Sequence, residues 1–100
     1  MNKARRKEIC NIIQKLNNFL SRVDIDVAID EIQMVLDEEE CVMDNIPENL
    51  QNGYRYQESE EACDNLNDAI SELEDIDDEY SEDDIQHAVN NAIQYLNNCI

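Results

Sequence analysis

The fold is decided by the stretch Asp44-Asn45-Ile46-Pro47-Glu48-Asn49-Leu50-Gln51-Asn52-Gly53, which contains the only proline and the only glycine in 100 residues. Proline lacks the N–H that a helix interior needs, and glycine favours turns, so the chain should reverse direction here. We therefore predict a turn at residues 44–56 between two breaker-free arms, at about 3–43 and 57–98. The scarcity of Gly and Pro also excludes a β-sandwich or barrel, which needs a turn every ~8–12 residues.

Both arms carry apolar residues at steps of three and four, the spacing of one apolar stripe per helix. The stripes are Ile9, Ile13, Leu16, Leu20, Val23 and Val27, then Ile25, Ile29, Ile32 and Leu36, and in the second arm Ala62, Leu66, Ala69, Leu73, Ile76 and Tyr80, then Ile85, Val89, Ala92 and Leu96. The sequence therefore predicts an all-α fold, an antiparallel helical hairpin forming a single domain over residues 1–100.

Each arm changes its helical register at a serine. The motifs Leu20-Ser21-x-x-Asp24-Ile25 and Tyr80-Ser81-x-x-Asp84-Ile85 each offer a serine N-cap, an acid at N3 and an apolar staple pair. We expect each arm to kink or break there, whether the likeness reflects an internal duplication or only two amphipathic helices. Residues 23–30 also alternate with period two, so a small two-stranded element with residues 54–57 is the alternative.

A bare two-helix hairpin leaves apolar surface in water and is marginal on its own, because ordering each residue costs roughly 1.5 kcal/mol. The arms should therefore either fold at their serines into a compact bundle or dimerise into a four-helix bundle, and we favour a homodimer. Extended antiparallel arms would bring Cys10 near Cys99 and Cys41 near Cys63. No cysteines have the short spacing of a zinc site, so we expect reduced thiols.

The charge is large and unevenly distributed. The chain has 25 acids against 7 Lys and Arg, a net charge of −18. Residues 1–22 carry six Lys and Arg against one acid, a net of +5, and residues 23–100 carry one Arg against 24 acids, a net of −23. Such a balance argues against direct binding to nucleic acid or to an anionic membrane. With neither a membrane span nor a signal-peptide pattern, we expect a protein of the cytoplasm.

The basic head, residues 1–22, opens with Lys3, Arg5, Arg6 and Lys7. Cations are unfavourable at a helix N-terminus because of the helix dipole, by up to ~1 kcal/mol each. In an antiparallel hairpin the head lies beside residues 85–100, which contain no acid. We therefore expect the head to be frayed or to be engaged by the acidic surface of a second molecule.

Nothing in the sequence points to catalysis. The chain has one histidine, His87, and no glycine-rich phosphate loop. Asp75-x-Asp77-x-Glu79 resembles the start of a calcium-binding EF-hand loop, but Tyr80 replaces its glycine and Gln86 its final glutamate. We predict no catalytic residue, no metal site and no cofactor, and we do not expect an enzyme.

Acids recur along the second arm at helical spacing. Glu61, Asp64, Asp68, Glu72, Asp75 and Glu79 follow steps of 3, 4, 4, 3 and 4, which predicts one carboxylate stripe with charges about 5 Å apart. That spacing is comparable to the phosphates of a nucleic-acid strand. More acids cluster at the second serine. The candidate partner-binding residues are Glu61, Asp64, Asp68, Glu72, Asp75, Asp78, Glu79, Glu82, Asp83 and Asp84. A merely solvated face is the alternative.

Three segments carry a resemblance to a known group: Asn2–Ile9, Asp44–Gln51, and Tyr56-x-x-Ser59-Glu60-Glu61-Ala62-x-Asp64-Asn65-Leu66. With these the chain resembles small acidic helical proteins of phages and prophages of Gram-positive bacteria. The likeness covers the N-terminus, the turn and the first half of the second arm, and it implies a mobile-element setting and a helical hairpin.

In that setting the acidic stripe predicts a phage-encoded inhibitor of a host defence nuclease, of the anti-CRISPR or anti-restriction type. It would act in the host cytoplasm as a DNA mimic in the basic groove of a nucleic-acid-binding protein. The alternative is a non-enzymatic interaction module whose apolar stripe, with Leu66 and Leu73, pairs with a partner helix while the acids serve only solubility.

Overall fold

The computed structural model describes residues 2–51 and 53–100, and these residues form an all-helical structure. Its elements are helix α1 at Lys3–Asn17, helix α2 at Arg22–Asp44, a short 3-10 helix at Glu48–Leu50, helix α3 at Tyr54–Glu74 and helix α4 at Glu82–Asn97. The all-α prediction is confirmed. The strand alternative is wrong, because residues 23–30 lie inside α2 and residues 54–57 inside α3.

The central turn is shorter than the predicted 44–56. Helix α2 ends at Asp44, and α3 already begins at Tyr54 with Gly53 as its N-cap. A side chain at Gly53 would place its Cβ only 3.1 Å from the Leu50 carbonyl oxygen. The glycine therefore suits this corner because the backbone of the 3-10 helix approaches it closely.

Both arms break completely at the predicted serines, which separates α1 from α2 and α3 from α4. At Ser81 the capping box forms: the Asp84 N–H donates to Ser81 Oγ at 3.2 Å, and the Ser81 N–H donates to Asp84 Oδ2 at 3.4 Å. Ser21 occupies the N-cap position of α2 without a capping bond from its side chain. There the Leu20 N–H donates to Asp24 Oδ2 at 2.8 Å instead, and the predicted Leu20 staple fails because that side chain is exposed.

Each arm folds back on itself, so that one chain makes an antiparallel four-helix bundle of 49 × 22 × 17 Å. Helix α1 packs against α2 and α4, and α3 packs against the same two helices. The Arg5–Glu39 and Lys15–Glu31 pairs show that α1 runs antiparallel to α2. The Cys99 thiol lies 3.7 Å from the Ala62 carbonyl oxygen, as expected if α4 runs antiparallel to α3.

The core is one continuous cluster of aliphatic side chains from all four helices. Ile9, Ile32, Leu66, Val89 and Leu96 are fully buried. Burying such side chains is the main stabilising contribution in a small helical domain, at about 1.5–3 kcal/mol each. Because a single chain buries its own stripes, the physical motive for the homodimer is weaker than the sequence indicated, and the dimer stays a prediction.

The folded-back arms also change where the cysteines lie. All four are free thiols; Cys10 and Cys41 are exposed, whereas Cys63 and Cys99 are buried. The expected pairing of Cys10 with Cys99 assumed extended arms, and the structure instead brings Cys99 against Ala62, the residue beside Cys63. The expected proximity of Cys41 to Cys63 depends only on the hairpin of α2 and α3, which the structure keeps.

Candidate acidic interface

Four of the ten candidate residues lie on the outer face of α3, where Glu61, Asp64 and Asp68 are exposed and Glu72 is half-buried. We call these four the α3 acids. The opposite side of α3 is fixed in the core by residues that include Leu66 and Leu73. None of the α3 acids makes a side-chain hydrogen bond or ion pair with the residues described, 2–51 and 53–100. These carboxylates are therefore presented to solvent without an internal role.

The predicted stripe does not continue to Glu79. Helix α3 ends at Glu74 with Asp75 as its C-cap, so Asp78 and Glu79 lie in the connection to α4. The connection turns because Ile76 is buried in the core and the Asp77 carboxylate accepts the Glu79 N–H at 2.6 Å. Such side-chain-to-backbone bonds compete with helix continuation.

The remaining candidate acids have structural reasons of their own. Glu82, Asp83 and Asp84 occupy the first turn of α4, where the positive end of the helix dipole stabilises carboxylates. Asp84 also completes the capping box. Asp78 accepts from Arg22 Nη1 at 2.8 Å, and the same guanidinium donates to the Ile76 carbonyl, which ties the start of α2 to the α3–α4 connection.

The part of the chain that carries the α3 acids contains no positively charged residue after Arg55. Residues 56–100 contain 14 acids and neither Lys nor Arg. Glu60, Glu74 and Asp77 are exposed in the same region although the stripe spacing did not select them. Only Asp78 among the ten candidates forms an ion pair within residues 2–51 and 53–100. The acids of α3 and of the following connection thus form a nearly uncompensated negative surface.

Four of the six Lys and Arg residues of the basic head, Arg5, Arg6, Lys15 and Arg22, form ion pairs within the described residues, contrary to both expectations from the sequence. Arg5 Nε donates to Glu39 Oε2 at 2.7 Å, Arg6 pairs with Glu58 at 3.5 Å, and Lys15 pairs with Glu31 at 2.6 Å. The N-terminus of α1 is also capped, because the Arg5 N–H donates to Asn2 Oδ1 at 2.8 Å. The expectation was wrong because α1 lies beside α2 as well as α4, so that acids of α2, together with Glu58 of α3, become its partners.

Glu39 is the residue that the sequence analysis missed. Its side chain is fully buried, although it lies in the run Asp37-Glu38-Glu39-Glu40 that looks solvated. Helical phase could have found it, since Glu39 follows Val35 and Leu36 at steps of four and three on the buried side of α2.

The buried thiols lie close to the same carboxylate. Burial first, and the negative charge of Glu39 second, raise the pKa of Cys63 to about 12. The same two causes raise the pKa of Cys99 to about 11. Both thiols are therefore protonated at neutral pH and poor nucleophiles, because the thiolate is the reactive form.

The single histidine has no metal-binding or catalytic grouping around it among the described residues. His87 is exposed and lines an open depression of about 350 Å³ with Glu72, Asp75 and Tyr80. Across residues 2–51 and 53–100, no three or more His, Cys, Asp or Glu residues are arranged to hold a metal ion. None of the helices in these ranges has the length and apolar character needed to cross a bilayer.

Comparison with known proteins returns no match: no family model, no curated protein and no solved structure is similar to this chain. Its candidate interface must therefore be interpreted from its own charge and geometry.

Proposed function

We propose that this chain is a phage-encoded inhibitor of a host defence nuclease, of the anti-CRISPR or anti-restriction type. Its acidic surface would occupy a basic nucleic-acid groove as DNA does, in the cytoplasm of the host. The observation that carries the proposal is the group of α3 acids, which are presented to solvent without a capping or pairing role in the described residues. The phage setting comes from the resemblance described above.

The charge density supports this proposal. A net charge of −18 along a 49 Å axis gives one negative charge per about 2.7 Å. Duplex DNA carries one per about 1.7 Å of its axis, so the two densities are of the same order. Along α3, consecutive acids are one turn apart, about 5 Å, on a rigid helix. A rigid array of this kind suits a groove lined by Lys and Arg, where electrostatic complementarity governs recognition.

The absence of cations near the α3 acids supports a role beyond solubility. Like charges at i, i+4 destabilise a helix by a few tenths of a kcal/mol per pair. Asp64–Asp68 and Asp68–Glu72 are such pairs, and no Lys or Arg follows Arg55 in the sequence. A helix selected only for solubility could mix both signs and avoid this cost.

A capture experiment tests the proposal. The immobilised protein is exposed to lysate of a Gram-positive host that encodes CRISPR and restriction systems, at about 50 mM and about 500 mM NaCl. We expect it to retain nucleic-acid-binding proteins at low salt and to release them both at high salt and on addition of duplex DNA. Retention of partners that neither salt nor duplex DNA releases would contradict DNA mimicry.

The helix-pairing alternative needs a different surface from the one the sequence indicated. Leu66 and Leu73 are buried in the core, so replacing either by Asp would unfold the bundle and would not test a partner contact. The predicted homodimer is not required for groove occupancy. Light scattering on the 11.7 kDa chain distinguishes a monomer from a dimer.

A further inference from the structure

Helix α2 carries a row of apolar side chains on its outward face, away from the core. Val23 is 66% exposed, Val27 45% and Met34 64%, and Cys41 is also exposed. We call these four residues the α2 stripe. The opposite face of α2 is buried through residues such as Ile25 and Ile32, so the helix is apolar on two sides.

The α2 stripe follows one coiled-coil seam along the helix. Val27, Met34 and Cys41 lie at steps of seven and Val23 precedes Val27 by four, while Asp30 and Asp37 occupy the alternate positions of the same seam. Residues at this repeat keep facing one partner helix, so that helix would meet apolar side chains alternating with carboxylates. From Val23 to Cys41 the stripe covers about 27 Å.

Acids lie within the α2 stripe and along its borders. Asp30 and Asp37 lie between the apolar residues, and Asp24, Asp26, Glu38 and Glu40 flank them, all exposed. The only cation on α2 is Arg22, which is already paired with Asp78. A second α2 helix would bring like charges together at these flanking positions. A basic helix would instead form opposite-charge pairs there.

We propose that the α2 stripe is a docking surface for a basic amphipathic helix of another protein. Its apolar residues would pack on Val23, Val27 and Met34, and its Lys and Arg would meet the acids within and beside the stripe. This surface goes beyond the proposed function, because its contact combines apolar packing with ion pairs and uses α2, not the α3 acids.

The test uses a synthetic 21-residue peptide with leucine at the positions that face Val23, Val27 and Met34 and lysine at the positions that face the acids of α2. Calorimetry measures its affinity, and NMR shift perturbation on the whole chain locates it. We expect shifts at Val23, Val27 and Met34. The double variant Val27→Asp, Met34→Asp should bind at least about tenfold more weakly, although it adds two negative charges.

The control Gln33→Glu adds a flanking charge and leaves the α2 stripe intact, so it should bind as tightly as the unchanged protein or more tightly. Equal or tighter binding by the double variant, shifts confined to the α3 acids, or no binding would each overturn the proposal. Dimerisation of the unchanged protein that the double variant abolishes would overturn it as well, because a second copy would then occupy the stripe. If the double variant does not fold, the shift map of the unchanged protein decides.

Discussion

The two halves of the bundle use charge in opposite ways. Residues 2–44, with α1 and α2, hold ten acids and six Lys or Arg, whereas residues 54–97, with α3 and α4, hold fourteen acids and one Arg. In the first half Arg5, Arg6, Lys15 and Arg22 form ion pairs, and one of these pairs, Arg5–Glu39, is almost fully buried. In the second half Glu58 and Asp78 pair with cations of the first half, and most other carboxylates are exposed without an ion pair among the described residues. The excess charge is therefore concentrated at positions that neither the core nor the ion pairs use.

The largest expected difference between the halves concerns their cysteines. In the folded protein we expect iodoacetamide to alkylate Cys10 and Cys41 of the first half at least about 10³-fold faster than Cys63 and Cys99 of the second. The reason is that the buried thiols must wait for opening of the bundle, and burial raises their pKa. Peptide mass spectrometry over a time course measures the four rates. Equal rates at all four positions would show that the second half is not packed as described.

The same thiols predict a pH dependence of stability. Because the pKa of each buried thiol is raised above its ordinary value of 9.0, to about 12 for Cys63 and about 11 for Cys99, the folded chain holds these protons more tightly than the unfolded chain. Their contribution to the free energy of unfolding is complete below pH 9 and is lost as pH rises toward 11 and 12. Urea titrations at pH 8 and pH 10 should show this loss, and Cys63→Ser should reduce it.

The two ion pairs within the first half should contribute very different amounts to the free energy of unfolding. Arg5→Ala should lower the free energy of unfolding by about 3 kcal/mol, because it removes the guanidinium that faces the buried Glu39 carboxylate. Lys15→Ala, which breaks the exposed pair with Glu31, should cost less than about 1 kcal/mol. Urea denaturation followed by circular dichroism measures both.

A paired variant makes that prediction sharper. Replacing both Arg5 and Glu39 by Met should recover most of the stability lost in Arg5→Ala, because no charge is then left inside the bundle. Similar losses for Arg5→Ala and Lys15→Ala would mean that the Arg5–Glu39 pair is not the buried contact described.

The two serine breaks provide the smallest expected difference. Ser81→Ala should cost about 1 kcal/mol, because its hydroxyl accepts the Asp84 N–H. Ser21→Ala should change the free energy of unfolding by only about 0.3 kcal/mol or less, since that side chain makes no capping bond. Thermal or urea unfolding resolves the two values. A loss at Ser21 as large as that at Ser81 would contradict the asymmetry.

The sequence predicted the helices and their breaks because both are local properties. The spacing of the apolar residues identified Leu66 and Leu73 as inward-facing, and the serine–acid motifs located the N-termini of α2 and α4. Whether an arm only kinks or folds back on itself depends on how the apolar faces of all four helices pack against each other. The spacing of apolar residues along one helix does not contain that information. The basic head was misjudged for that reason, because its partners Glu31 and Glu39 become neighbours only after the fold-back.

The candidate interface was predictable in part for a similar reason. Charge is read directly from sequence, so Asp64, Asp68 and Glu72 were correctly expected on one face of a helix. Helix α3 ends at Glu74 because Ile76 is buried by tertiary packing, which the sequence does not show. The carboxylate stripe was therefore predicted to continue too far, to Glu79. The α2 stripe could not be distinguished from core by periodicity, because Val23 and Val27 have the same spacing as truly buried residues.

The most direct test of the central claim compares two charge-reversal variants of equal net charge. Asp64→Lys, Asp68→Lys, Glu72→Lys alters the α3 acids, and Asp26→Lys, Asp30→Lys, Glu40→Lys alters exposed acids of α2; each changes the net charge from −18 by six units. Circular dichroism first verifies that both stay helical. The measurement is the amount of nucleic-acid-binding protein that each retains from host lysate at low salt and releases on addition of duplex DNA. We expect the α3 variant to lose this retention and the α2 variant to keep it, and equal retention by the two variants would contradict binding through the α3 acids.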